Sequence, residues 1–158
     1  MIHQLENLTV MQVEQLFDAP VLVALLIAGA DGQFETSEIE KAIEIVHIKS
    51  FSEYADLKEF YQALEPDFTR RFNHLRNILP TGKKEHNQEI TNRLTSLNEV
   101  LFMLPYKFSL HFYKSIRNYA VHIANAAGGL GGFFTIGEEE KEFIHLSMIT
   151  EPTHHTEA

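Results

Sequence analysis

The chain has 158 residues, 44% of them hydrophobic, with a formal charge of −9 and no cysteine. That length suits one domain around a single core, and the charge argues against nonspecific nucleic-acid binding, which needs clustered Lys and Arg. The missing thiols exclude disulfides, thiolate metal sites and cysteine nucleophiles.

Residues Met1 to Val10 show no basic stretch, so no signal peptide is expected. Val10, Val13, Leu16 and Phe17 predict a short amphipathic helix that Asp18-Ala19-Pro20 interrupts or kinks. Val21 to Ala30 is apolar all round, as in a helix buried at the centre of a domain. The apolar run from Ala19 to Ala30 is shorter than the ~20 residues of a membrane span, so no transmembrane segment is expected.

Gly32 is placed to stop that helix, and Ser37 with Glu40 forms a capping box for the next, which would bury Ile39, Ile43 and Val46. Leu57, Tyr61 and Leu64 mark a further segment, and Pro66 opens another. There Phe68, Phe72, Leu75 and Leu79 share one helical face, with the arginines elsewhere. Arg70, Arg71, Arg76, Lys83 and Lys84 make a basic region, read either as a solvated helix face or as a docking patch for an acidic partner.

Pro80 to Lys84 reads as a surface loop. Ile90, Leu94, Leu97, Leu101 and Leu104 form the next stripe, closed by Pro105. Phe108 to Ala127 is the longest predicted helix, with Phe112, Ile116, Tyr119 and Ile123 inward. A last helix starts near Thr135 or Gly137 and packs through Phe143 and Leu146. The expectation is one all-α domain over residues 1–150, a bundle of about seven helices, followed by a disordered polar tail at 151–158.

Two turns carry the candidate chemistry. Asp31-Gly32-Gln33-Phe34-Glu35-Thr36-Ser37-Glu38 matches the second half of an EF-hand loop, but the opening ligand positions fall on Ile27 and Gly29, which offer no carboxylate. A smaller acidic site remains, in which Asp31, Glu35 and Glu38 converge on a hard divalent cation. The plainer reading is a turn, with Gly32 ending one helix and Ser37 starting the next. Near the C-terminus, Ala127-Gly128, a glycine-rich stretch, Phe134 and Glu138-Glu139-Glu140-Lys141 repeat the same order of features.

An apolar helix, Ala30-Asp31-Gly32-Gln33-Phe34, a helix opening on acid, and a second such motif near the C-terminus resemble the TerB family. That family includes the tellurite-resistance protein and the N-terminal domain of the DjlA co-chaperone. The likeness spans about residues 10 to 150. It implies a helical domain with a pseudo-repeat of helix–turn–helix motifs, an acidic surface and a link to metal, tellurite or envelope stress. The metal candidates it carries over are Asp31, Glu38 and, in the second motif, Glu138. This chain departs from the family where the second Asp is Ala127 and where Gly129 to Phe133 is extra.

That glycine-rich stretch precedes a helix, as phosphate-cradling loops do. No Lys follows, and Glu138, Glu139 and Glu140 would repel an anion. A connector with Phe133 and Phe134 packed on the core is expected. Two Glu-x-x-His pairs, Glu44 with His47 and Glu142 with His145, have the spacing of di-iron carboxylate bundles. Helical geometry turns both pairs about 100° off the faces marked by Val46 and Leu146. His111 and His122 lie too far apart along one helix to share an ion, and each reads as a surface or boundary histidine. The sequence therefore leads to a non-enzymatic, cytoplasmic TerB-like module that binds a protein partner and a divalent cation. The alternative is a metal-dependent di-iron bundle enzyme.

Overall fold

The computed structural model describes residues 2–28, 36–52, 54–128 and 143–153. Among them every regular element is helical: α1 (Val10–Ala28), α2 (Thr36–Ser52), α3 (Ala55–Leu64), α4 (Phe68–Ile78), α5 (Lys83–Met103) and α6 (Tyr106–Gly128). Short 3-10 turns cover His3–Leu5 and Glu65–Asp67. The all-α expectation holds. The count of about seven does not, because among the described residues α3, the second 3-10 turn and α4 run on without a break and leave five helical rods. Pro66 sits at the start of that turn, where a missing N–H costs nothing. The expected last helix begins outside the described residues, and only Phe143 and Ile144 of it are helical here.

A reciprocal capping box sets the start of α1. The Thr9 amide donates to Gln12 Oε1 at 2.9 Å, and the Gln12 amide donates to Thr9 Oγ1 at 3.1 Å. The helix then runs through Pro20 instead of stopping there. A mid-helix proline costs about 3 kcal/mol. Every residue from Ala19 to Ile27 is buried, and each large apolar side chain contributes about 1.5–3 kcal/mol, so burial outweighs the lost bond. By length and composition alone α1 is long and apolar enough to cross a membrane, as a buried core helix also can be, and a little over half of that window is buried inside the fold.

α1 is central and packs on α4, α5 and α6, while α2 packs on α3 and α6. The stripes expected on α3, α4, α5 and α6 are the buried ones, including Phe68, Phe72, Ile90, Leu94, Phe112 and Ile116. Phe60 stacks on Phe17 with centroids 4.6 Å apart and meets Tyr61 and Phe112 edge-on at 5.2 and 5.3 Å. Edge-on and offset aromatic pairs of this kind add to plain area burial. Leu104, before Pro105, is extended at φ −88° and ψ 157°, which ends α5 and lets α6 begin.

The arginines of α4 do not all lie away from the core. Arg71 is only 8% exposed. Its Nε donates to Asp67 at 2.8 Å, and its Nη1 donates to Asp18 at 2.9 Å and to Glu14. The guanidinium also lies over the Phe17 ring, 5.2 Å from its centroid. Glu14, Phe17 and Asp18 sit at i, i+3 and i+4, one face of α1, so a single buried cation fastens α4 to α1. Arg70 pairs with Asp67 at 2.6 Å. The basic region is thus partly neutralised within the chain.

A candidate interaction surface at the corner of α2 and α3

The last two turns of α2 present two different faces. Val46, Lys49 and Ser50 are buried, and the 100° step per residue then puts His47, Ile48 and Phe51 on the opposite side. Ile48 is 52% exposed and Phe51 66%, and Tyr54, which precedes α3, is 40% exposed. Exposed apolar side chains close together in sequence and on one side of α2 make this a candidate surface.

Two histidines frame these residues. His47 meets the Phe51 ring edge-on at 5.0 Å, and its Nδ1 lies 2.9 Å from Glu65 Oε1. His111, on α6, stacks on Tyr54 with centroids 4.0 Å apart, and its Nδ1 lies 2.9 Å from Asp56 Oδ2. A carboxylate only accepts, so Nδ1 carries the proton in both rings. Each imidazole is therefore oriented by an acid and holds an aromatic ring in place. The exposed Glu44, four residues before Ile48 on the same face of α2, adds negative charge there.

Behind the corner, Lys49 is 6% exposed. Its Nζ donates to Asn118 Oδ1 at 3.2 Å and lies 5.7 Å from the Tyr61 ring centroid. The Tyr61 hydroxyl shares a hydrogen bond with Ser115. Tyr119 donates to the Ala42 carbonyl at 3.1 Å. Complete burial, and then the nearby Tyr61, push its phenol well above the ordinary tyrosine value. These bonds join α2 and α3 to α6 and give the corner a rigid floor.

Of the residues expected to bind a cation, Asp31, Glu35 and Glu138 lie outside the described residues. Glu38 stands in the first turn of α2, half-buried, where an acid favours the helix dipole. The Gly-rich stretch and the second motif also lie outside them. Glu44, His47 and His145 are exposed, so they do not point inward as di-iron ligands must, and Glu142 is not described. Among the described residues no three His, Asp or Glu side chains group to hold a metal ion.

Sequence reading missed the corner. The available signal was that Ile48 and Phe51 fall off the stripe through Ile39, Ile43 and Val46. An apolar residue off the core face is weak evidence alone, because much protein surface is apolar. The pairing of His47 with Glu65 and of His111 with Asp56 spans distant segments and had no sequence signal. No family model, curated protein or solved structure matches the chain.

Proposed function

We propose that this chain is a non-enzymatic interaction module of the TerB-like type that docks a protein partner at the corner of α2 and α3. The observation that carries the reading is the exposed row Ile48, Phe51 and Tyr54, in which Phe51 and Tyr54 meet imidazoles that carboxylates orient. The partner segment proposed is apolar with flanking basic residues, since Glu44 lies one turn before Ile48 on the same face of α2, and Glu65 and Asp56 sit behind the imidazoles at the row. The resemblance supplies the rest of the proposal: a helical bundle with a pseudo-repeat, a divalent cation at Asp31, Glu35 and Glu38 with Glu138 from the second motif, and a cytoplasmic role in metal, tellurite or envelope stress.

A photo-crosslinking residue at position 51, installed in the full chain in cells, tests the docking surface. One partner should be captured from position 51 and not from exposed Asn92 on α5. With purified components, Phe51→Asp should weaken that partner's binding at least tenfold and leave the melting temperature unchanged. Equal capture from both positions, or undiminished binding by Phe51→Asp, would refute the surface. The cation is tested separately by titrating Ca²⁺, Mg²⁺, Mn²⁺ and Zn²⁺ into EDTA-stripped protein. A saturable rise in melting temperature that Asp31→Ala abolishes is expected, and no response to any ion removes the cation from the proposal.

A further inference from the structure

Residues 143–153 lie against α5 and α6 and wall off a cavity at the turn between those helices. Arg117 Nε, on α6, donates to the His145 carbonyl at 3.2 Å. Asn98, on α5, uses both ends of its amide. Its Nδ2 donates to the Met148 carbonyl at 2.9 Å, and its Oδ1 accepts from the Thr150 amide at 2.8 Å. Leu146 and Ile149 anchor the segment by burial. Thr150 to Thr153 then form one wall of a cavity of about 290 Å³. Its other walls are Leu101 and Phe102 at the end of α5, Leu104 before Pro105, and Tyr106 and Ser109 at the start of α6.

Ser109 stands apart from the other helical hydroxyls. It is 1% exposed, and its Oγ has no hydrogen-bond partner among the described residues. A hydroxyl within a helix can turn back to the carbonyl four residues earlier. Thr91, Thr95 and Ser96 on α5 do so, donating to the carbonyls of Asn87, Thr91 and Asn92 at 2.8, 2.7 and 3.1 Å. The equivalent carbonyl for Ser109 is that of Pro105, which accepts the Ser109 amide at 3.0 Å but not its hydroxyl. An unpaired buried hydroxyl destabilises a fold, so native structures hold few of them. This one belongs to a residue that lines a cavity.

The remaining walls set the chemistry of an occupant. Leu101 and Leu104 are apolar and buried, and Phe102 and Tyr106 bring aromatic rings. Mostly apolar walls with one polar group to fix orientation are the usual make-up of a small-molecule site. An apolar cavity of about 150 Å³ holds benzene, so one about twice that volume suits two fused rings. Among the described lining residues Glu151 alone is charged, which disfavours an anion. We propose that this cavity binds a small, uncharged bicyclic aromatic molecule whose hydroxyl or carbonyl oxygen pairs with the Ser109 hydroxyl. The cavity shares no residue with the exposed row of α2 and α3, and the two proposals stand or fall separately.

Naphthol and naphthalene, which differ by one hydroxyl, are the probes, titrated into the full chain at neutral pH and followed by fluorescence. Naphthol should bind saturably at one site per chain, with a Kd of roughly 0.1 mM for a ligand of this size. Ser109→Ala should weaken naphthol about fivefold, the worth of one hydrogen bond, and leave the Kd of naphthalene unchanged. Phe102→Ala, which removes a wall, should weaken both probes. Ser109→Ala deletes an unpaired hydroxyl and Phe102 is 66% exposed, so both variants should keep the wild-type melting temperature. Absence of saturable naphthol binding overturns the proposal, as does naphthol binding that Ser109→Ala or Phe102→Ala leaves intact. Equal weakening of both probes by Ser109→Ala also overturns it, because the hydroxyl would then serve the packing and not the ligand.

Discussion

Replacing Arg71 with Ala removes the buried guanidinium from Glu14 and Asp18 and leaves Asp67 with Arg70 alone. Losing one partner of a buried ion pair costs about 3–5 kcal/mol, most of it the desolvation of the charge left behind. The partners here are not equally confined, for Glu14 is 52% exposed and Asp67 30%, so both can rehydrate, while Asp18 at 24% is the most enclosed. The cost therefore falls below that range, at about 2–3 kcal/mol including lost packing on Phe17. In a chain of this size 1 kcal/mol moves the melting temperature by about 2–4 °C, so a fall of roughly 5–10 °C is expected.

Urea unfolding at neutral pH, followed by circular dichroism, measures it, with the denaturant slope unchanged. Burial already raises the Asp18 carboxyl above its ordinary value, outweighing the opposing bond from Arg71. A raised carboxyl costs stability once ionised, so Asp18→Asn in the Arg71→Ala background should recover about 1 kcal/mol. Asp67 has the opposite sign. The bond from Arg70, with the charge of Arg71 beside it, lowers its carboxyl. Its contribution is full above the ordinary carboxylate value and is lost as pH falls through the lowered one, whereas the cost of Asp18 fades as pH drops below its raised value. An Arg71→Ala protein within about 0.5 kcal/mol of wild type would show that the network behaves as an ordinary surface cluster. Further destabilisation by the added Asp18→Asn would equally refute the argument.

Three further outcomes follow from the same packing. Tyr119 should stay un-ionised in an alkaline ultraviolet titration until the chain unfolds, and Tyr119→Phe should leave the native titration amplitude unchanged. Its raised value stabilises the fold below the ordinary tyrosine range and ceases to do so as pH rises through the shifted one. Phe60→Ala should cost about 3–5 kcal/mol in urea unfolding, because its ring contacts Phe17, Tyr61 and Phe112 together. Thr9→Ala breaks the capping box of α1 and should cost about 1 kcal/mol, read as a drop of about 2–4 °C in melting temperature.

Helical periodicity alone located most of the core. The stripes on α4, α5 and α6 were legible because an amphipathic helix repeats its apolar residues on one face whatever it packs against. Proline positions were less reliable guides. Pro66 and Pro105 lie at helix starts, where the missing N–H is unneeded, while Pro20 sits within a helix whose buried neighbours override it. The candidate cation turn was the most visible chemical feature of the sequence, yet Asp31, Glu35 and Glu138 lie outside the described residues, and their role rests on the proposed titration.

By itself, then, the sequence determined the all-α class and the inward faces of most helices, because both follow from local spacing along one chain. Tertiary structure decided the rest: that Arg71 is buried between Glu14, Asp18 and Asp67, that Lys49 lies beneath Tyr61, that Ile48 and Phe51 face outward, and that residues 143–153 lie between α5 and α6. The reason is physical. Burial of a charge, orientation of an imidazole and capture of a distant segment each depend on groups brought together from separate helices, and no periodicity within one helix records where its neighbours stand.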